Sequence, residues 1–236
     1  MSQPILKIRH PRPAHLSDPY CDFTPEELRT LLNTPDERLA WNDLASLLGN
    51  LAAGTYDETV YFLPLALDFL RSDKEGVRDL IDPVVCFLSR HAELLRSEGL
   101  LAPAIVKLHE CFESWTHQFE FFQVEHSKRS YVVHGGDVYA VIEQLVRWMT
   151  HESLTVEWAR ELSDHGNVPA KAAWFLHLAS EQKQGAGVYG FRDFAALRDI
   201  LTDERRLRSA GGVVIETRMV SDQPEFWENV FLWLGL

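Results

Sequence analysis

The sequence predicts a mainly α-helical protein: an irregular bundle of about seven to nine helices around one core, with at most a minor β-hairpin or short strand pair. Three observations predict it. Apolar residues recur at intervals of three and four along most of the chain. Helix-start signals precede these runs, with Thr24-Pro25, Asp82-Pro83, Pro103 and Pro169 among them. A single segment, 213–220, is rich in β-branched residues.

Residues 1–24 carry several prolines and almost no periodicity, which predicts an extended arm. Residues 25–236 then form a single helical domain, with a soft boundary at 127–136. Thr24 caps a short helix to about Leu32, with Pro25 at its first position and Glu26 and Glu27 at its positive end. A second helix runs from Pro35 to Gly49 through Leu39, Leu44, Leu47 and Leu48. Thr55 and Glu58 have capping-box spacing ahead of Val60, Leu63, Leu67 and Leu70, and Pro64 belongs in a first turn or at a kink.

Asp82-Pro83 reads as the start of a helix to Ser97, ended by Gly99. The longest run, from Pro103 to about Glu125, has the spine Ile105, Leu108, Phe112, Trp115, Phe119 and Phe122, as a central helix would. Helices are also expected over about 137–149, 154–162, from Pro169 to about Gln182, over 191–201 and over 226–234. Residues 213–220 read as a strand whose partner is either 131–133 or the arm around 5–8.

The formal net charge of the 236-residue chain is -12, which repels nucleic acid, and the clusters Lys128-Arg129 and Arg205, Arg206, Arg208 are too short to reverse that. No run reaches membrane-span length. Cys21, Cys86 and Cys111 are odd in number and widely spaced, as expected of reduced thiols in the cytoplasm. Self-association is left open.

His109, Glu113 and His117 stand four apart and put imidazole, carboxylate and imidazole in a row on one helix face, with Cys111 and Glu120 nearby. Helical di-metal proteins use Glu-x-x-His pairs from two helices. Here the spacing is one residue longer and there is no second copy, so the row reads as a solvated polar face, and no metal or cofactor is expected. His134-Gly135-Gly136-Asp137 could present a histidine on a loop, with Ser127, Ser130 or Cys111 as weak nucleophile candidates. The Gly185–Gly190 stretch lacks the strand and the Lys-Ser/Thr pair of a phosphate loop. No catalytic constellation is expected.

Acidic residues collect as a surface instead. Asp36, Glu37, Asp43, Asp57 and Glu58 gather in one region, with Trp41 and Tyr56 beside them as aromatic anchors. Glu110, Glu113, Glu120 and Glu125 add a second run.

Residues 53–70, centred on Tyr61-Phe62-Leu63-Pro64, resemble a segment of small helical bacterial proteins of unassigned or toxin-immunity function. The resemblance implies a cognate-toxin inhibitor without its own catalysis. Taken with the charge, it makes a non-catalytic, immunity-type protein that binds a basic toxin or effector the leading expectation. The alternatives are a generic cytosolic adaptor or structural helical protein, and an enzyme or small-ligand binder with a pocket near His109/His117 or His134.

Overall fold

The computed structural model describes residues 10–72, 76–117, 123–127, 130–134, 152–184 and 195–236. It is a mainly α, irregular multi-helix protein whose one described sheet is a short two-stranded hairpin. Contacts gather into two units, residues 1–111 and 112–236.

In the first unit, residues 10–24 have no regular structure but are fastened down. Leu16 is buried. His10 Nε2 lies 2.7 Å from Glu98 Oε2. Arg12 pairs with Asp36 and stands over the Tyr61 and Phe62 rings. The Ser17 amide and hydroxyl both donate to Glu58 Oε2, at 3.0 and 2.7 Å.

Helix α1 (Pro25–Asn33) starts as its sequence predicts, with a reciprocal box in which Thr24 Oγ accepts from the Glu27 amide and Glu27 accepts from the Thr24 amide. The helix expected over 35–49 is broken. A 3-10 turn (Asp36–Arg38) is followed by extended Leu39 and Ala40, and α2 (Trp41–Leu48) then restarts with Asp43 accepting from the Ala40 amide at 2.9 Å. Next come α3 (Tyr56–Thr59), a 3-10 turn (Val60–Phe62) and α4 (Leu63–Leu70). Pro64 occupies the first turn of α4, where its missing amide proton costs no intrahelical bond.

The start expected at Asp82-Pro83 is corrected. Helix α5 (Val77–Arg90) begins at Val77 and runs through Pro83. Leu80, Ile81, Val84, Val85 and Leu88 are all buried around it, so tertiary burial outweighs the lost hydrogen bond. Gly76, ahead of α5, has φ +83°, and a Cβ there would fall 1.9 Å from the Trp41 ring, so only glycine fits. A separate short helix, α6 (Ala92–Ser97), precedes Gly99, and α7 (Leu101–His117) follows. Helix α7 is unbroken across residue 111 and carries the chain into the second unit.

The second unit contains the antiparallel hairpin β1 (Gln123–Ser127) and β2 (Ser130–His134), with Val124 opposite Val133. Among the described residues its further helices are α8 (Glu152–Ser163), α9 (Pro169–Gln184), α10 (Ala195–Leu201), α11 (Glu204–Ile215), α12 (Arg218–Asp222) and α13 (Pro224–Leu234). Helix α9 touches α8, α10, α11 and α13 and is buried around its circumference, from Ala170 to Ser180. It is the central helix of this unit. The aromatic spine assigned that role in the sequence is partly on α7, where Phe112 and Trp115 are buried, while Phe119 and Phe122 lie outside the described residues. The helix expected over 137–149 also lies outside them.

The strand expected over 213–220 is corrected as well. Those residues end α11 and form most of α12. Asp203 caps α11, and Leu207, Ala210, Gly211 and Val214 make a buried helical face at intervals of three and four. Gly211 stays inside the helix because Leu236 and Phe231 close over it, with a Cβ there meeting Leu236 at 3.4 Å. Burial on α9 thus overrides the β propensity of Val213-Val214-Ile215. On α13, Phe226, Trp227, Val230 and Leu234 face inward, and Trp233 is exposed rather than docked. No helix among the described residues is long and apolar enough to cross a membrane.

Candidate metal centre

The acidic region of the first unit is largely engaged within the chain. Asp36 accepts from Arg12 and from the Tyr61 hydroxyl, and that hydrogen bond, with burial, holds the Tyr61 phenol above its ordinary range. Glu58 accepts from Ser17 and from the Thr55 amide. Burial would raise its carboxyl, but these bonds prevail and hold it below the usual range. Asp43 starts α2. Trp41 is half-buried against Gly76. Tyr56 is half-buried too, stacked on Phe87 at 6.1 Å and tilted against His91 at 5.1 Å, and burial with nearby Glu98 pushes its phenol well up. Of the seven residues assigned to a protein-binding face, Glu37 and Asp57 are the exposed ones.

The row on α7 gains partners that its sequence does not announce. Glu113 lies on the last turns of α7, Glu161 on α8 and Lys171 on the first turn of α9. His109 stands one turn before Glu113 on the same continuous helix, so helix geometry sets its position relative to Glu113. Donor atoms of His109, Glu113 and Glu161 all lie within 4.8 Å of one another, and all three residues are partly buried. Lys171 Nζ is 3.1 Å from Glu113 Oε1 and 3.8 Å from Glu161 Oε1. A hydrogen bond shared with Glu161, aided by the Lys171 ammonium, outweighs burial and holds the Glu113 carboxyl below the usual range.

His117 does not join this group. Its Nδ1–H donates to the Glu113 backbone carbonyl at 2.8 Å, and its ring is exposed. The cluster therefore keeps His109 and Glu113 from the row and takes Glu161 in place of His117. Spacing along one helix cannot reveal a ligand 48 residues further on (161 − 113). A signal for Lys171 did exist: it is a lone charge in the apolar first half of α9, and a charge there needs a partner.

The chemistry such a group can perform follows from its atoms. One imidazole nitrogen and two carboxylates form a mixed N/O donor set that suits zinc, manganese or iron. Three protein ligands also leave a coordination position for water or an exchangeable molecule.

The other candidates give less. His134 ends β2, and Gly135-Gly136-Asp137 lie outside the described residues, as do Glu120 and the Gly185–Gly190 stretch. Ser127 and Ser130 are paired in register at the hairpin end. Burial pushes the Cys111 thiol up to about 12, so it is no nucleophile.

A polar hollow of about 570 Å³ in the second unit is lined by residues of 163–167 and 203–209, among them His165, Arg205, Arg206 and Ser209. His165 Nε2 is 3.2 Å from Ser209 Oγ, which looks like a dyad. However, the Asn167 amide donates to His165 Nδ1 at 3.1 Å. That bond places the neutral ring's proton on Nε2, so His165 cannot take one from Ser209. Arg206 is held by Asp164 and Ser163.

No protein-family model, no curated protein and no solved structure matches this chain.

Proposed function

We propose that this protein is a metal-dependent small-ligand binder that holds a divalent first-row transition-metal ion through His109, Glu113 and Glu161. The convergence of three donor atoms within 4.8 Å carries the reading. The imidazole favours zinc, manganese or iron over magnesium and calcium, which prefer all-oxygen shells. The test uses the full chain stripped with a chelator and titrated calorimetrically with Zn²⁺ and, separately, Mg²⁺. One Zn²⁺ should bind per chain, with no matching Mg²⁺ signal. His109→Ala and Glu161→Gln should each lose the Zn²⁺ isotherm, and His117→Ala should keep it. Absent Zn²⁺ binding, or binding that survives both losses, overturns the proposal.

A second reading is a cytoplasmic inhibitor of a basic toxin or effector. It draws on the net charge of -12 and on the exposure of Glu37 and Asp57. Glu37→Lys with Asp57→Lys would slow association with a captured basic partner and flatten its salt dependence. An unchanged association rate would remove this reading.

A further inference from the structure

The inference here rests on the metal-binding reading and concerns how that site is controlled. We infer that Lys171 is a tethered cation that occupies the position between Glu113 and Glu161 and must leave it when a metal ion enters.

Three observations carry this. The ammonium reaches one oxygen of each carboxylate in the donor set, at 3.1 and 3.8 Å, so it sits against the groups that an ion would need. The lysine side chain is largely buried, so its charge has little water and depends on those oxygens. Lys171 is also the third residue of the 16-residue helix α9, whose positive end disfavours a cation. The carboxylates therefore hold it against the helix field.

A zinc-class ion sits about 2.0–2.2 Å from each carboxylate oxygen. An ammonium held against those same carboxylates would be forced close to a divalent charge, and the two exclude each other. The flexible four-carbon stem of lysine lets the ammonium swing away. The site then fills above a metal concentration that Lys171 sets, and in the metal-free chain Lys171 offsets part of the charge of the paired carboxylates.

The test compares Co²⁺ binding by the full-length wild type and by Lys171→Gln, read by visible absorbance and calorimetry. Lys171→Gln should bind Co²⁺ about tenfold to a hundredfold more tightly, the range over which groups flanking a metal's ligands act. Equal affinities would show that Lys171 does not compete and would leave the metal-binding reading standing. Weaker binding in the variant would make Lys171 a support for the ion and overturn the inference. If neither protein takes up Co²⁺, both proposals fall.

A measurement on the wild type alone needs no folded variant. Acetylation of Lys171 by acetic anhydride, mapped by peptide mass spectrometry, should rise on saturation with Zn²⁺, while the exposed Lys183 stays constant. An unchanged or reduced yield at Lys171 overturns the inference.

Discussion

Helices α7 and α9 are nearly equal in length, at 17 and 16 residues, and both carry titratable side chains, yet they solve opposite problems. Helix α7 keeps one face wet: Ala102, Val106, Ser114 and His117 are exposed, and the charges of Lys107 and Glu110 meet each other along it. Helix α9 has no wet face until Lys183. Its charges must be matched or extinguished. Lys171 is matched by Glu113 and Glu161. His177 lies among aromatic neighbours, and burial lowers its imidazole to about 4, so it is uncharged at neutral pH. Burial likewise raises the carboxyl of Glu181. The same residue types are therefore solvated on one helix and chemically constrained on the other.

The largest test of this contrast is steric. Trp174 on α9 is fully buried, and Trp174→Ala should cost about 3–5 kcal/mol in denaturant unfolding. A loss below about 1 kcal/mol would mean that α9 is not the packed centre of its unit.

The next test is electrostatic. The folded-state pKa of His177 lies below its unfolded value of 6.5, so the unfolded chain binds the proton first as the pH falls. Stability from this group is present above about pH 6.5 and is lost towards pH 4. The residue as a whole keeps some solvent exposure, so the expected loss is about 1–3 kcal/mol. His177→Leu should flatten the unfolding free energy across that window, and an unchanged slope would assign the acid sensitivity elsewhere. Glu181, shifted the other way, loses stability as the pH rises and does not add to this effect. The smallest effect belongs to the wet face: Val106→Ala on α7 should move stability by less than about 0.5 kcal/mol.

The difference also explains what could be read from the residues. Periodicity shows itself where a helix has two faces, so α7 is legible from its spacing, as is α1 from the Thr24–Glu27 box and the first turn of α4 from Pro64. Local rules fail where burial decides. Pro83 looks like a start and lies inside α5, and Val213-Val214-Ile215 look like strand and end α11. The candidate centre follows the same division. His109 and Glu113 are visible as a row, because helix geometry alone joins them. Glu161 and Lys171 join only through folding, across separate helices, and no pattern within one helix encodes that meeting.

The burial of two of the three cysteines has a practical consequence. Cys86 and Cys111 are only 1% and 2% exposed, whereas Cys21 stands open on the fastened arm at φ 59°. A maleimide applied to the folded protein meets one accessible thiol. A spin label or fluorophore placed there would report release of the residue 10–24 segment from the first unit, with no engineered attachment point.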